Sequence, residues 1–344
     1  MQCAKGEHRC EKVGSSMLKY IGQRIIYIFF VFLILSGIIF FLYNSIPGDP
    51  ALRKVSNQID KLTEEQFQIS YERAREELGL NDPIPVRYVK WLKNIVTLDF
   101  GVSQTYKQPV VDVIKTPMKN TIFINIMSIF LALVITIPLG IRCAVKKFSK
   151  FDNTVQVLTI VGYSTPQFIL ALIAIFIFAV KLKVLPVSGM NTPNFQGTAI
   201  EALLDRMKYL TLPLLVMTVS ALGGMTRYVR AAMIDALRMD YVRTARAKGL
   251  KEKAVIYSHA WRNALLPVIT LIIGWFLSIF SGSIIVESMF GLNAMGKIYY
   301  KALSDLDYEL VIAVQMFYVV ISLVGNLIID LSYGLVDPRI RINK

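Results

Sequence analysis

Cysteine and histidine are nearly absent from this chain, three and two in 344 residues. Cys3 and Cys10 lie in a polar tail and Cys143 at the end of an apolar run. All three fall on the side predicted to be reducing, so no disulfide framework is expected. His8 and His259 are far apart and lack metal-ligand spacing, so no metal site is expected. The sequence has no nucleophile elbow, no H-E-x-x-H and no paired-cysteine motif. The chain is therefore not expected to be an enzyme by itself. Acidic residues are also scarce, 24 against 38 Lys and Arg, for a formal charge of +14. No Arg-rich, aromatic-interleaved face accompanies that excess, so no nucleic-acid partner is expected.

What the chain has in abundance is apolar residues, 54% of the total. They come in blocks of about 20 or more, the length that crosses a bilayer. The blocks predict an all-α polytopic membrane protein with transmembrane helices at 25–46, 121–141, 154–180, 210–229, 264–287 and 310–335. The predicted core is 121–335, preceded by a cytoplasmic tail, 1–24, and an extracytoplasmic segment, 47–120. Residues 230–263 form a cytoplasmic loop and 336–344 a cytoplasmic C-terminal tail. The first run is longer than a signal-peptide core and is followed by no small-residue cleavage site, so it reads as a retained anchor. The charges agree: 21 of the 38 Lys and Arg fall on the cytoplasmic side, at 1–24, 142–153, 227–263 and 336–344, and 6 in the two short outer loops. The other 11 lie in the long outer segment, which weighs little in orientation.

The outer segment carries its own helix signals. Thr63-Glu64-Glu65-Gln66 has capping-box spacing and predicts a helix to about Leu78, stopped by Gly79 and Asn81-Asp82-Pro83. A second helix over about 85–97 places Val89, Leu92, Ile95 and Val96 on one face. A small cap packing on the span ends is the expected role, with a substrate site as the other reading. Within the third run, Tyr163-Ser164-Thr165-Pro166-Gln167-Phe168 puts a proline where its missing N–H frees a carbonyl for neighbouring hydroxyls or water. That stretch is either a pathway lining or a packed kink. Gly223-Gly224 predicts close helix approach in the fourth run. Glu287 is expected at the outer interface, and Asp330 facing protein or water.

The stretch Asp240-Tyr241-Val242-Arg243-Thr244-Ala245-Arg246-Ala247-Lys248-Gly249-Leu250 lies between two apolar runs. It is too polar to cross a bilayer and rich in helix formers. It reads as a surface helix closed by Gly249 or as a solvated loop. Gly291-Leu292-Asn293-Ala294-Met295-Gly296-Lys297-Ile298 fits a phosphate-loop pattern but has Ile where a Mg²⁺-binding hydroxyl is needed. No nucleotide site is expected there.

Asp240–Gly249, His259 and Asn263-Ala264-Leu265-Leu266-Pro267 together resemble the cytoplasmic coupling loop of ABC-transporter permease subunits. The match is closest to the dipeptide/oligopeptide/nickel branch. Arg243-Thr244-Ala245 stands where the wider family has Glu-Ala-Ala, and Leu266-Pro267 comes about one helical turn later. Pro47-Gly48-Asp49-Pro50, Leu78–Pro83, Tyr88–Leu92, Asp99-Phe100-Gly101 and Asp337-Pro338-Arg339-Ile340-Arg341 resemble the same branch. So does Met17-Leu18-Lys19-Tyr20, which fits a start of translation at Met17. The resemblance spans about 17–341 and implies an importer subunit for peptides, or for nickel chelates or another small solute. The remaining alternatives are a non-transporting membrane scaffold and an intramembrane enzyme. As coupling residues it implies Asp240, Tyr241, Arg243, Thr244, Ala245, Arg246, Ala247 and Gly249. Ala245 and Ala247 are expected to face a groove on the ATPase. As partners it implies a second homologous permease, two cytoplasmic ATPases and an extracytoplasmic solute-binding protein, in a bacterial cytoplasmic membrane. No cofactor is expected on this chain; ATP and Mg belong to the partner ATPases.

Overall fold

A computed structural model of the chain describes residues 4–45, 49, 51–52, 55, 63–77 and 79–336, with backbone only for 4–20, 276–277 and 332–336. Pro47, Gly48, Pro50, Leu78 and the Asp337–Arg341 motif lie outside the described residues. Every named element is a helix. In chain order they are α1 (Ala4–Ser45), α2 (Glu64–Glu77), α3 (Ile84–Val96), α4 (Val110–Val145), α5 (Lys150–Ser164) and α6 (Gln167–Ala174, continued to Lys181 by a π-helical turn). Then come α7 (Ala199–Leu237), α8 (Asp240–Ala247), α9 (Arg262–Leu277), α10 (Ile284–Met289), α11 (Met295–Ser304) and α12 (Tyr308–Val336).

Among the described residues, five helices are long and apolar enough to cross a membrane: Ile21–Ser45, Val110–Val145, Ala199–Leu237, Glu252–Phe280 and Tyr308–Leu331. The third predicted span, 154–180, is instead two helices, α5 and α6, bent by 103° at a break. Pro166 causes it: its fixed φ and missing N–H stop α5 and open α6. The predicted fifth span also differs. Its helix stops at Phe280 and the chain turns through 281–283 before α10. Isoleucines and phenylalanines along α1 and α5 stand exposed, Phe41 at 70% and Leu158 at 65%. Such continuous apolar surface is what a lipid-facing helix presents.

The chain forms two compact units, residues 1–113 with 302–327 and residues 114–301 with 328–344. In the first, α2 starts at the predicted capping box: the Gln66 N–H donates to Thr63 Oγ1, and the Thr63 N–H to Gln66 Oε1. Gly79, at φ +63°, ends it. The predicted face of α3 is only half right. Leu92 and Ile95 are covered, but Val89 and Val96 are 64% and 72% exposed. Tyr88 and Trp91 take the packing face instead, each within 5.4 Å of the Phe40 ring. Aromatic rings bury more area than valine and so set the rotation of the helix.

The second unit holds two apolar cores. One joins α4 and α7 to α8 and α9 through Val229, Met233, Val242, Ala245, Ala264 and Val268. The other joins α4, α6, α7 and α10 around Leu210, Leu214, Val286 and Phe290. Gly223 meets the predicted close approach: a Cβ there would lie 2.4 Å from the Thr159 carbonyl of α5. Gly224 has open space around it.

Candidate coupling helix and pathway segments

The 240–250 stretch is a helix with two faces. Val242 and Ala245 are 0% and 3% exposed and seat α8 in the first core. Asp240, Tyr241, Arg243, Thr244, Arg246, Ala247 and Gly249 are all exposed. Gly249 adopts φ +74°, and the Leu250 N–H reaches back to the Ala245 carbonyl. This is a left-handed closure that disfavours a Cβ. One expectation changes: Ala245 points into this chain's own core, whereas Ala247 points outward. The Arg243–Asp240 pair is fully solvated, at 76% and 94% side-chain exposure. Arg246 donates to both oxygens of Glu252 at 2.6 and 3.2 Å, which holds its pKa above the ordinary arginine value. Burial pushes the Tyr241 hydroxyl up.

Residues 163–167 lie at the α5–α6 break. Tyr163, Ser164 and Pro166 are exposed, and Thr165 and Gln167 half-buried. The Thr165 hydroxyl donates to the Val161 carbonyl at 2.7 Å, which also accepts from the Thr165 N–H. Arg227, on α7, was not singled out by its sequence context. It lies 5.5 Å over the Tyr163 ring and donates to the Gly223 carbonyl.

Asp152 and Arg230 were also invisible in the sequence. Ser149-x-x-Asp152 marks the start of α5, but nothing local ties it to a residue 78 positions away. The Asp152 carboxylate is fully buried and accepts from the Phe148 N–H as well as from the Arg230 guanidinium.

Glu287 was expected at an interface and is found 4% exposed. Its carboxylate accepts from the Ser283 N–H, the Lys297 N–H and the Thr121 hydroxyl. Gly282 and Gly296 make this possible, because a Cβ on Gly282 would sit 2.3 Å from the Gly296 nitrogen. The Gly291–Lys297 loop follows a helix. The Lys297 N–H, one of those a phosphate would need, already donates to the Glu287 carboxylate. Among the described residues no group of three or more His, Cys, Asp or Glu could hold a metal ion. Asp330 is half-buried.

In the first unit, Asp49 of the Pro-Gly-Asp-Pro motif accepts from the Tyr71 hydroxyl, the Ala51 N–H and Arg75 Nη1. Burial pushes its pKa up, but these bonds and the Arg75 charge outweigh that and hold it below the ordinary 3.8.

Residues 136–342 match the family described as binding-protein-dependent transport system inner membrane component, and residues 17–125 match the N-terminal family of the same systems. The oligopeptide transport system permease protein AppB of Bacillus subtilis is 37% identical over 94% of this chain and 99% of its own length. The oligopeptide transport system permease protein OppB of Haemophilus influenzae is 32% identical over 94% of this chain and all of its own. A chain of the methionine ABC transporter MetNI, in an inward-facing conformation, aligns at TM-score 0.47 and 16% identity, covering 63% of this chain and 95% of its own.

Proposed function

The chain belongs to the family of binding-protein-dependent transport system inner membrane components, and from that premise we propose that it is a permease subunit of an ATP-driven importer of peptides. Relatives named for oligopeptide and dipeptide transport, 37% and 32% identical over nearly the whole chain, support the substrate class. In this reading a binding protein outside delivers the peptide. A second permease completes the pathway, and two cytoplasmic ATPases supply the energy.

The observation that carries the coupling role is the two-faced α8. Its exposed face, Tyr241, Arg243, Thr244 and Ala247, is offered to the ATPase. Its buried face, Val242 and Ala245, is packed with Val229 and Met233 of α7 and Val268 of α9. A displacement imposed on α8 must repack those contacts, because a close-packed core is not continuously deformable. The broken α5–α6 pair, with the exposed Tyr163, Ser164 and Pro166, is the proposed pathway segment.

The test is ATP-dependent accumulation of a radiolabelled oligopeptide in vesicles holding the complete complex and its binding protein. Accumulation that needs ATP and is lost in Ala247→Trp supports the reading. ATP hydrolysis without accumulation of any peptide refutes the substrate class.

A further inference from the structure

Arg206 is a half-buried cation that pairs with no carboxylate among the described residues. It lies in the third turn of α7. Its Nη2 donates to the Asn120 side-chain oxygen at 2.8 Å, and its guanidinium carbon stands 4.9 Å over the Phe123 ring. Its Nε–H is buried and has no acceptor. Two other partly buried arginines have a carboxylate: Arg230 grips Asp152, and Arg75 has Asp49. Arg206 has only a neutral amide and a ring. Its charge therefore meets no anion among the described residues, and only its remaining guanidinium N–H groups are left for one.

The surroundings hold its orientation. Asn120 is itself fixed, its amide donating to the Asn293 carbonyl at 2.7 Å. Asn293 belongs to the loop whose Lys297 N–H is held by Glu287. Phe123 is part of the second core of its unit. The planar fork is thus pre-set with a ring below it and an amide at one corner. That geometry suits a carboxylate, which takes two parallel N–H donors.

We propose that Arg206, positioned by Asn120 and Phe123, binds the C-terminal carboxylate of the peptide as it enters the permease. This rests on the importer reading, which places the N-terminal end of α7 on the outer side. Every unmodified peptide carries that carboxylate whatever its side chains. One arginine can therefore serve substrates of varied sequence.

The experiment compares initial uptake of tri-alanine and penta-alanine as free acids and as C-terminal amides, by complexes carrying wild-type, Arg206→Gln, Arg206→Lys or Asn120→Ala chains. Any preference of the binding protein is common to all four and cancels in the ratio of acid to amide. Arg206→Gln is expected to lower uptake of the acids about tenfold, the scale of one lost charge-assisted hydrogen bond. Uptake of the amides should change by less than about twofold. Arg206→Lys and Asn120→Ala should fall between wild type and Arg206→Gln. An equal loss for acids and amides overturns the proposal and assigns Arg206 to a partner subunit or a lipid headgroup. No loss for either places Arg206 off the route and overturns it too. A wild-type complex that imports neither form refutes the importer reading itself, and that result is seen before any variant is compared.

Discussion

The Arg230 guanidinium holds the Asp152 carboxylate edge to edge, Nε to Oδ1 at 2.7 Å and Nη2 to Oδ2 at 2.6 Å. The pair ties the start of α5 to α7 one helical turn before Met233, a residue of the core that seats α8. Asp152 is buried, so removing one partner leaves the other uncompensated. Asp152→Ala is expected to cost about 3–5 kcal/mol. The double variant Asp152→Leu with Arg230→Met should cost less than the single one, because it leaves no orphan charge. Thermal unfolding of the purified subunit in detergent measures both. A double variant less stable than Asp152→Ala refutes this account of the pair.

The two alanines of α8 separate seat from dock. Ala245→Trp overfills the core around Val242 and is expected to lower stability by about 1–3 kcal/mol. Ala247→Trp should leave stability within about 0.5 kcal/mol, as exposed substitutions do, yet reduce co-purification of the ATPase. Gly249→Val strains a φ of +74° and should cost about 1 kcal/mol or more. Arg243→Ala should be mild, since solvated pairs contribute only about 0–1 kcal/mol. Melting curves beside an ATPase pull-down distinguish these outcomes. Full ATPase recovery by Ala247→Trp contradicts the docking face.

Glu287 and Lys297 test the phosphate-like loop. Lys297→Ala should leave ATP hydrolysis by the complex unchanged, because only the Lys297 backbone N–H is engaged by Glu287. Glu287→Ala removes the acceptor for the Ser283 and Lys297 N–H groups. It should destabilise the 281–297 region by about 1–3 kcal/mol, read as faster amide exchange there. Unchanged exchange in Glu287→Ala would count against the clasp.

Asp49 gives a pH dependence with a definite sign. Its pKa is lowered in the folded chain. Its contribution is therefore fully present above the ordinary value of 3.8 and lost as pH falls through the lower folded value. Proteolysis near α2 should accelerate below about pH 4 in the wild type, and Asp49→Asn should show that faster rate already at pH 7. A pH-independent rate in the wild type removes Asp49 from this role.

Much of the architecture was legible because its signals are local. Apolar blocks mark the spans, Thr63 and Gln66 mark the start of α2, and Gly249 marks the end of α8. Breaks inside the blocks were harder. Pro166 flagged a kink, but nothing in 154–180 encodes a bend of 103°. The stop at Phe280 depends on Gly282 meeting Gly296, a contact between distant residues. The direction of Ala245 follows from rotation of an eight-residue helix, which neighbouring charges do not fix. Asp152–Arg230 and Asn120–Arg206 are pairs separated by 78 and 86 positions, and no spacing rule reaches so far.

The length of α7 has a mechanical corollary. Its 39 residues extend about 58 Å at 1.5 Å each, nearly twice the roughly 30 Å of bilayer hydrocarbon. The tight crossing at Gly223 and Thr159 lies near its midpoint and can serve as a fulcrum. About that point a tilt of roughly 10° swings the Leu237 end about 4 Å, and the Arg206 end, beyond Pro213, moves in the opposite sense. In the proposed coupling role, a pull on α8 would then reach the Arg206 end as a push. Clamping either end with a cross-link should stall the stroke, whereas a clamp at the fulcrum should leave it free.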